Sequence, residues 1–444
     1  MELTRAPHIN SLPVEILTRI FVVACSVHLY TWSAPGIMPR PMFTNNAVTQ
    51  SHVCYHWRRI AISSSNLWTQ IYLDPHQFQD GQVPPRIKTY LDRASGQPLD
   101  VHAINPFPRF RATTAAQHGF IQFLTSISPR TWRMVVDVPN GLRAMYLFQR
   151  TISTVLKSCA PGTLRELSIQ LITLGLSPHN SRAPSEDLET TVELLGLPIT
   201  VLRLGDYFPK WTSNIYHGLT ELRLGGSRGS ISELALMTIL ISSPRLRVLE
   251  IKINITDDTQ THSPVTPVPL VDLELLIPGS CNSRGQIHLL RMTQPGPKPL
   301  TLSVEVPLVR AIVKSPGDAA MRRFFASSNI TRLIIHEPRN YAEVTTLLAL
   351  TPMVRVLALV RPFNPEIVED ESVIPPVSTV DALYVTDPLN TLPLLKQVIR
   401  RHGVRKLTLW GDSEIGAIVD QLSPICPQVT TLSREVPNPI QDWI

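Results

Sequence analysis

Apolar positions along the chain follow two different rhythms. Through about residue 66 they recur at helical spacing. Ile16, Leu17, Ile20, Phe21 and Ala24 form one broad stripe, with Pro13 and Glu15 suited to a helix start. A polar stretch punctuated by proline runs from Ser33 to Asn46. The spacing then predicts a second helical stretch over Val48 to Ser63, with Val53, Trp57, Ile60 and Ala61 on one face.

From Trp68 onward the pattern becomes apolar-x-x-apolar-x-apolar. Clear copies centre on Leu167, Leu222, Leu249, Leu273, Leu357 and Leu407, and weaker ones on Ile71, Val101, Met134, Leu202, Leu302, Leu333, Leu383 and Leu432. A period of roughly 20–35 residues sustained along a chain predicts a solenoid. Helical signals lie between the strand signals: Ser230-Ile-Ser-Glu233 reads as a capping box ahead of Leu234–Ile241, and Tyr341–Leu350, Leu392–Arg401 and Glu414–Leu422 are amphipathic. The expected fold is therefore α/β. An N-terminal helical unit, residues 1–66 with an insertion at 27–46, precedes an irregular repeat array over 67–444, with parallel strands inside and helices outside.

Composition narrows the class. The chain has 444 residues, 43% of them hydrophobic and 17% charged, which excludes a wholly disordered protein. The net charge of +6 is spread without any basic run longer than a pair, so no nucleic-acid surface is expected. No stretch reaches the ~18 uncharged apolar residues of a membrane span. Five scattered cysteines without a C-x-x-C pair argue against a disulfide framework and for a reducing compartment, and no signal-peptide shape opens the chain. A cytoplasmic or nuclear location is expected.

The run Leu12-Pro13-Val-Glu15-Ile16-Leu17, with Ile20-Phe21 after it, resembles the start of an F-box. Val53-Cys54, Trp57-Arg58, Ile60-Ala61 and Leu67-Trp68 continue that pattern in order. The stretch from Arg93 to Leu99 is similar to fungal F-box proteins with degenerate leucine-rich repeats. The insertion between the first two helices is longer than that family usually has.

The resemblance implies a substrate-recognition subunit of a cullin-RING ubiquitin ligase, non-catalytic and without a cofactor. Leu12, Pro13, Ile16, Leu17, Ile20, Phe21, Val53 and Trp57 would bind the Skp-type adaptor and through it a cullin. An unidentified target protein would dock on the repeats. Side-chain alternation places the residue between the paired leucines on the far face of each strand, and Arg203, Arg223, Glu250, Glu274 and Tyr384 are the target-binding candidates.

Other readings remain open. The helical unit can instead be a cap on a non-catalytic interaction scaffold. Gly225-Gly226-Ser227-Arg228-Gly229 fits the G-x-S-x-G elbow of serine hydrolases, although no HGGG-type motif precedes it. His52, Cys54 and His56 sit close in sequence but lack a fourth metal ligand.

Overall fold

The computed structural model describes residues 9–26, 46–104, 113–139, 151–172, 198–205, 208–226, 229–256, 266–279, 283–305, 308, 310, 319–362, 379–388, 391–411 and 415–443. Among the described residues the fold is α/β with a large parallel sheet and about twelve helices. The chain divides into two compact units, Met1–Ile215 and Tyr216–Ile444.

The first unit opens with three helices packed on one another: α1 (Val14–Ser26), α2 (Asn46–Ser51) and α3 (Tyr55–Ser63). The single helical stretch expected over 48–63 is broken in two. The break has a local cause: Cys54 is extended, and its sulfur accepts the amide of Trp57 at 3.4 Å, so a thiol caps α3 where serine or aspartate is commoner. Gln50 ties α2 to α1 by donating to the Phe21 carbonyl at 3.4 Å. Of the insertion expected at 27–46, residues 27–45 lie outside the described residues and Asn46 opens α2.

Trp68 joins these helices to the strand–helix region that begins at Gln70. It is fully buried, donates its indole N–H to the Ala61 carbonyl at 2.7 Å, meets Tyr90 edge to face at 5.0 Å, and carries the Arg93 guanidinium 4.2 Å above its ring. Strands and helices then alternate: β1 (Gln70–Leu73), α4 (Pro85–Ala94), β2 (Leu99–Ile104), α5 (Thr114–Ile127), β3 (Thr131–Pro139), α6 (151–158), β4 (Glu166–Ile172) and β5 (Val201–Gly205). The five strands pair in parallel and in sequence order, bringing Ile71, Val101, Met134, Leu167 and Leu202 into one register row. Every residue of that row is buried, as the sequence pattern predicts.

The second unit repeats this order. It contains β6 (Glu221–Gly225), β7 (Ser230–Ser232), α7 (Glu233–Ser242), β8 (Val248–Ile251), β9 (Asn254–Thr256), β10 (Val268–Leu270), β11 (Leu275–Pro278), α8 (Ser283–Met292), β12 (Thr293–Pro295) and β13 (Leu300–Val304). After α9 (Ala319–Ser327) come β14 (Ile330–His336), α10 (Tyr341–Leu350), β15 (Val356–Val360), β16 (Ala382–Thr386), α11 (Leu392–His402), β17 (Lys406–Gly411), α12 (Gly416–Leu422) and β18 (Gln428–Ser433). The main sheet runs β6-β8-β11-β13-β14-β15-β16-β17-β18, while β7–β9 and β10–β12 are small parallel pairs beside it. Strands that advance in one direction through right-handed crossovers leave their connecting helices on one side of the sheet.

The central row here is Leu222, Leu249, Leu276, Leu302, Leu333, Leu357, Leu383, Leu407 and Val429. Two expected centres are displaced by three residues. Leu276, not Leu273, aligns with Leu249, because Leu270 belongs to the side strand β10 and shifts the reading frame of the motif. Val429, not Leu432, aligns with Leu407; Leu432 pairs with Trp410 on the other face. The helix cap also moves: Ser230 lies in β7, and Ser232 caps α7 by accepting the Ala235 amide at 3.3 Å. By contrast, α10 has the expected bounds, capped by Asn340, which accepts the Glu343 amide at 3.0 Å.

Candidate interaction surfaces

The three N-terminal helices divide the resembling residues into two sets. Leu17 and Phe21 are buried at 0% and 1% exposure, with Phe21 packed 4.7 Å from the Trp57 ring. They hold the helices together and are withheld from a partner in this packing. Trp57 is half-buried and donates its indole N–H to Asn10 Oδ1 at 2.8 Å, closing the chain before α1 onto α3. Leu12 is half-buried and Pro13 exposed.

Ile16, Ile20 and Val53 form the other set, exposed at 46%, 40% and 58%. At 100° per residue Ile16, Ile20 and Val23 lie within about 60° of one another on α1, so they make one stripe beside the buried Leu17–Phe21 stripe. Val14, Tyr55 and Ile62 add exposed apolar surface, and with Arg59 they line a shallow groove between the start of α1 and α3. Of the thirteen exposed large hydrophobic residues among those described, eight lie between Ile9 and Ile62. Scattered exposed apolar residues are ordinary, but such a concentration marks a contact surface.

The target-binding candidates turn out differently. Arg203, on β5, is half-buried and belongs to the first unit, while Arg223, on β6, belongs to the second. Arg223 is not a free surface cation. It donates to Glu221 at 2.7 Å and to Glu250 at 2.9 Å, and Glu250 is fully buried, with Lys252 2.5 Å from its other oxygen. The pair is internal, so neither residue serves as the solvated docking charge expected from alternation. The carbon stem of Lys252 crosses Gly279, where a Cβ would meet Lys252 Cγ at 2.7 Å.

Glu274 is not on this face at all. It precedes β11, and Ile277 takes the aligned position opposite Glu250. Instead Glu274 forms a two-point exposed pair with Arg247, at 3.1 and 2.7 Å, and lies 3.4 Å from Lys298. The Arg247 hydrogen bonds hold its carboxyl below the ordinary range. The fifth candidate, Tyr384, is half-buried and meets Trp443 edge to face at 4.7 Å.

The strands of the first unit carry, on the face that holds Arg203, a polar ladder the sequence pattern does not signal. Asp100 and His102 lie two residues apart on β2, with His102 Nε2 3.0 Å from Asp100 Oδ1. Arg133 on β3 reaches Asp100 at 3.5 Å and Glu166 on β4 at 3.3 Å. Tyr72 stacks on His102 at 4.8 Å, and burial, then the Asp100 charge, pushes its hydroxyl up to about 12. Burial likewise raises Asp137 to about 6, against the lowering charge of His102. The alternation that singled out Arg203 points to His102 in β2, but the weak leucine pattern there hid it.

In the second unit His336 Nε2 lies 2.9 Å from Ser303 Oγ, and desolvation drives the imidazole down to about 4, so it is neutral at pH 7. Ser227, the hydrolase candidate, lies outside the described residues. His52 is exposed, His56 half-buried and Cys54 engaged as a helix cap; among the described residues no group of three His, Cys, Asp or Glu side chains is arranged to hold a metal ion. No helix among the described residues is long and apolar enough to cross a membrane. No protein-family model matches the chain, and no curated protein matches it.

Proposed function

We propose that the chain is a substrate receptor of a cullin-RING ubiquitin ligase. Its three N-terminal helices act as an F-box that docks on a Skp-type adaptor, and the strand–helix array acts as a leucine-rich-repeat solenoid that holds a target protein. The observation that carries this reading is the concentration of exposed apolar side chains on α1 to α3, with Ile16, Ile20 and Val53 at its centre. A short three-helix unit with both a buried and an exposed apolar stripe has one face for itself and one for a partner. The receptor performs no covalent chemistry. It raises the target's effective concentration near the transferring subunits, making a bimolecular step quasi-intramolecular. Cytoplasm or nucleus, where such ligases work, is the location this role requires.

The test is co-purification of the full chain with a recombinant Skp-type adaptor. Ile16→Glu with Ile20→Glu places two charges on the exposed stripe without touching Leu17 or Phe21. Adaptor capture should fall at least thirtyfold, the scale of an interface anchor. Wild-type protein that never captures the adaptor removes the reading.

A second reading is favoured by Trp68, whose full burial seals the helices to the first strand–helix unit. Here the helices are a cap on a non-catalytic scaffold. The same charged double variant then changes no binding activity.

A further inference from the structure

The sheet face that carries Ile334, Ala358 and Tyr384 is unusual for a face opposite the connecting helices. A face left to water favours polar residues, yet Ile334 and Ala358 are fully withdrawn from solvent. Their cover is residues 434–443 of the same chain. Ile440, 2% exposed, packs against Ile334 and Ala358, with Val360, Tyr384 and Trp443 around it. Trp443 meets Tyr384 edge to face, and the Arg332 guanidinium lies 5.6 Å from its ring centre.

This segment is docked by side chains and does not extend the sheet. The amide of Val436 bonds to Ser433, those of Ile440 and Gln441 to Asn438, and that of Trp443 to Ile440. Pro437 and Pro439 have no N–H to offer a strand. Its ties to the strands beside the apolar patch are exposed: Arg434 to Asp387 at 2.6 Å, and the Trp410 indole donating to the Val436 carbonyl at 2.9 Å. Two side chains three residues apart, one aliphatic and one aromatic, pack against the apolar patch. That is how a linear peptide reads a groove, with a few side-chain anchors on a locally satisfied backbone.

We infer that the face formed by Ile334, Ala358 and Tyr384 is a docking groove for a short turn-forming protein segment presenting an aliphatic residue and, three positions on, an aromatic one, as the 3-10 turn ending at Trp443 does, and that residues 434–443 hold this groove in cis. A tethered segment acts at an effective concentration near millimolar, so a target must outcompete it by affinity or by several anchors at once. The inference deepens the receptor reading by giving the target a place. It rests on that reading only for the identity of the occupant as a target, and its test involves no ligase subunit, so adaptor binding and groove binding fail separately.

The probe is a fluorescein-labelled synthetic peptide with the sequence of residues 434–443, read by anisotropy against the full-length protein. Wild-type protein should bind it at least tenfold more weakly than the variant Ile440→Asp, Trp443→Ala, in which the groove is vacated. Adding Tyr384→Ala to that variant should weaken peptide binding at least tenfold, and a scrambled peptide should not bind. A folded double variant that ignores the peptide, or takes the scrambled one equally, overturns the inference. Hydrogen exchange on the wild-type protein gives an answer that does not depend on the variants folding. The amides of Val436, Ile440, Gln441 and Trp443 should exchange at least a hundredfold faster than those of β15 and β16. Equal protection would make the segment a permanent part of the core and overturn the groove.

Discussion

Arg223 and Glu250 face each other across β6 and β8 at 2.9 Å, and the carboxylate has no access to water. Lys252 and Glu221 complete a four-charge row in which each buried group has a partner of opposite sign. Removing one member of a buried pair strands its partner and typically costs ~3–5 kcal/mol. Glu250→Ala should therefore lower the stability of the second unit by about that amount, read from urea denaturation. Arg247→Ala, which breaks the exposed pair with Glu274, should cost no more than ~1 kcal/mol. Similar effects for the two variants would contradict the burial of the Arg223–Glu250 pair.

The N-terminal helices should separate folding from surface effects residue by residue. Leu17→Ala opens a cavity among α1, α2 and α3 and should cost ~2–5 kcal/mol. Ile16→Ser, one position away but exposed, should stay within about 0.5 kcal/mol. Circular dichroism melts of the two variants check the assignment of stripes; reversed magnitudes would place the wrong face inward.

Two buried titrating groups should oppose each other in acid. Folded His336 stays neutral down to about pH 4, whereas in the unfolded chain it gains a proton near 6.5. Between those values the unfolded state binds more protons, so this group's contribution is complete above pH 6.5 and is lost as pH falls toward 4. Asp137 runs the other way. Its folded carboxyl titrates at about 6 against 3.8 unfolded, so its destabilising charge is fully present above pH 6 and relieved as pH falls toward 3.8. Each tenfold difference in proton affinity amounts to ~1.4 kcal/mol. His336→Gln should make the protein less acid-sensitive than wild type between pH 4 and 6.5, and Asp137→Asn more so. Urea midpoints measured across that range decide the signs.

Gly119 in α5 lies against the turn at Gly81, where an added Cβ would collide with the Gly81 backbone carbonyl. Gly119→Ala improves helix propensity by about 1 kcal/mol but forces the helix off the turn. The net effect should be a loss of ~1–3 kcal/mol, the usual scale of overpacking. A stabilised variant by thermal melt would show that the turn yields.

Much of the fold was legible because leucine repeats and parallel strands share one physical requirement: a buried row needs an apolar residue at each aligned position. Ile71, Val101, Met134 and Leu167 therefore fell into register as read. The reading slipped at β11, where apolar residues at 270, 273, 275 and 276 permit two frames and hydrogen bonding selects one. Site residues were harder. Alternation says which face a side chain takes, not whether that face meets water, so it predicts surface charges at Glu250 and Arg223, which are buried. The covering of Ile334 by Ile440, about a hundred residues later in the chain, leaves no local periodic signal.

The order of strand pairing in the second unit bears on how it is made. Partners in the central row are separated by as few as 22 residues (Leu407 to Val429) and no more than 31 (Leu302 to Leu333). Closing loops of that length carries a small entropic cost, and no strand waits for one made much later. Each strand can thus find its template on the strand just completed while synthesis continues at ~5–20 residues per second. The growing edge is an open strand at every stage of this addition, so a pause in translation should leave a sticky, chaperone-dependent intermediate rather than an unfolded chain.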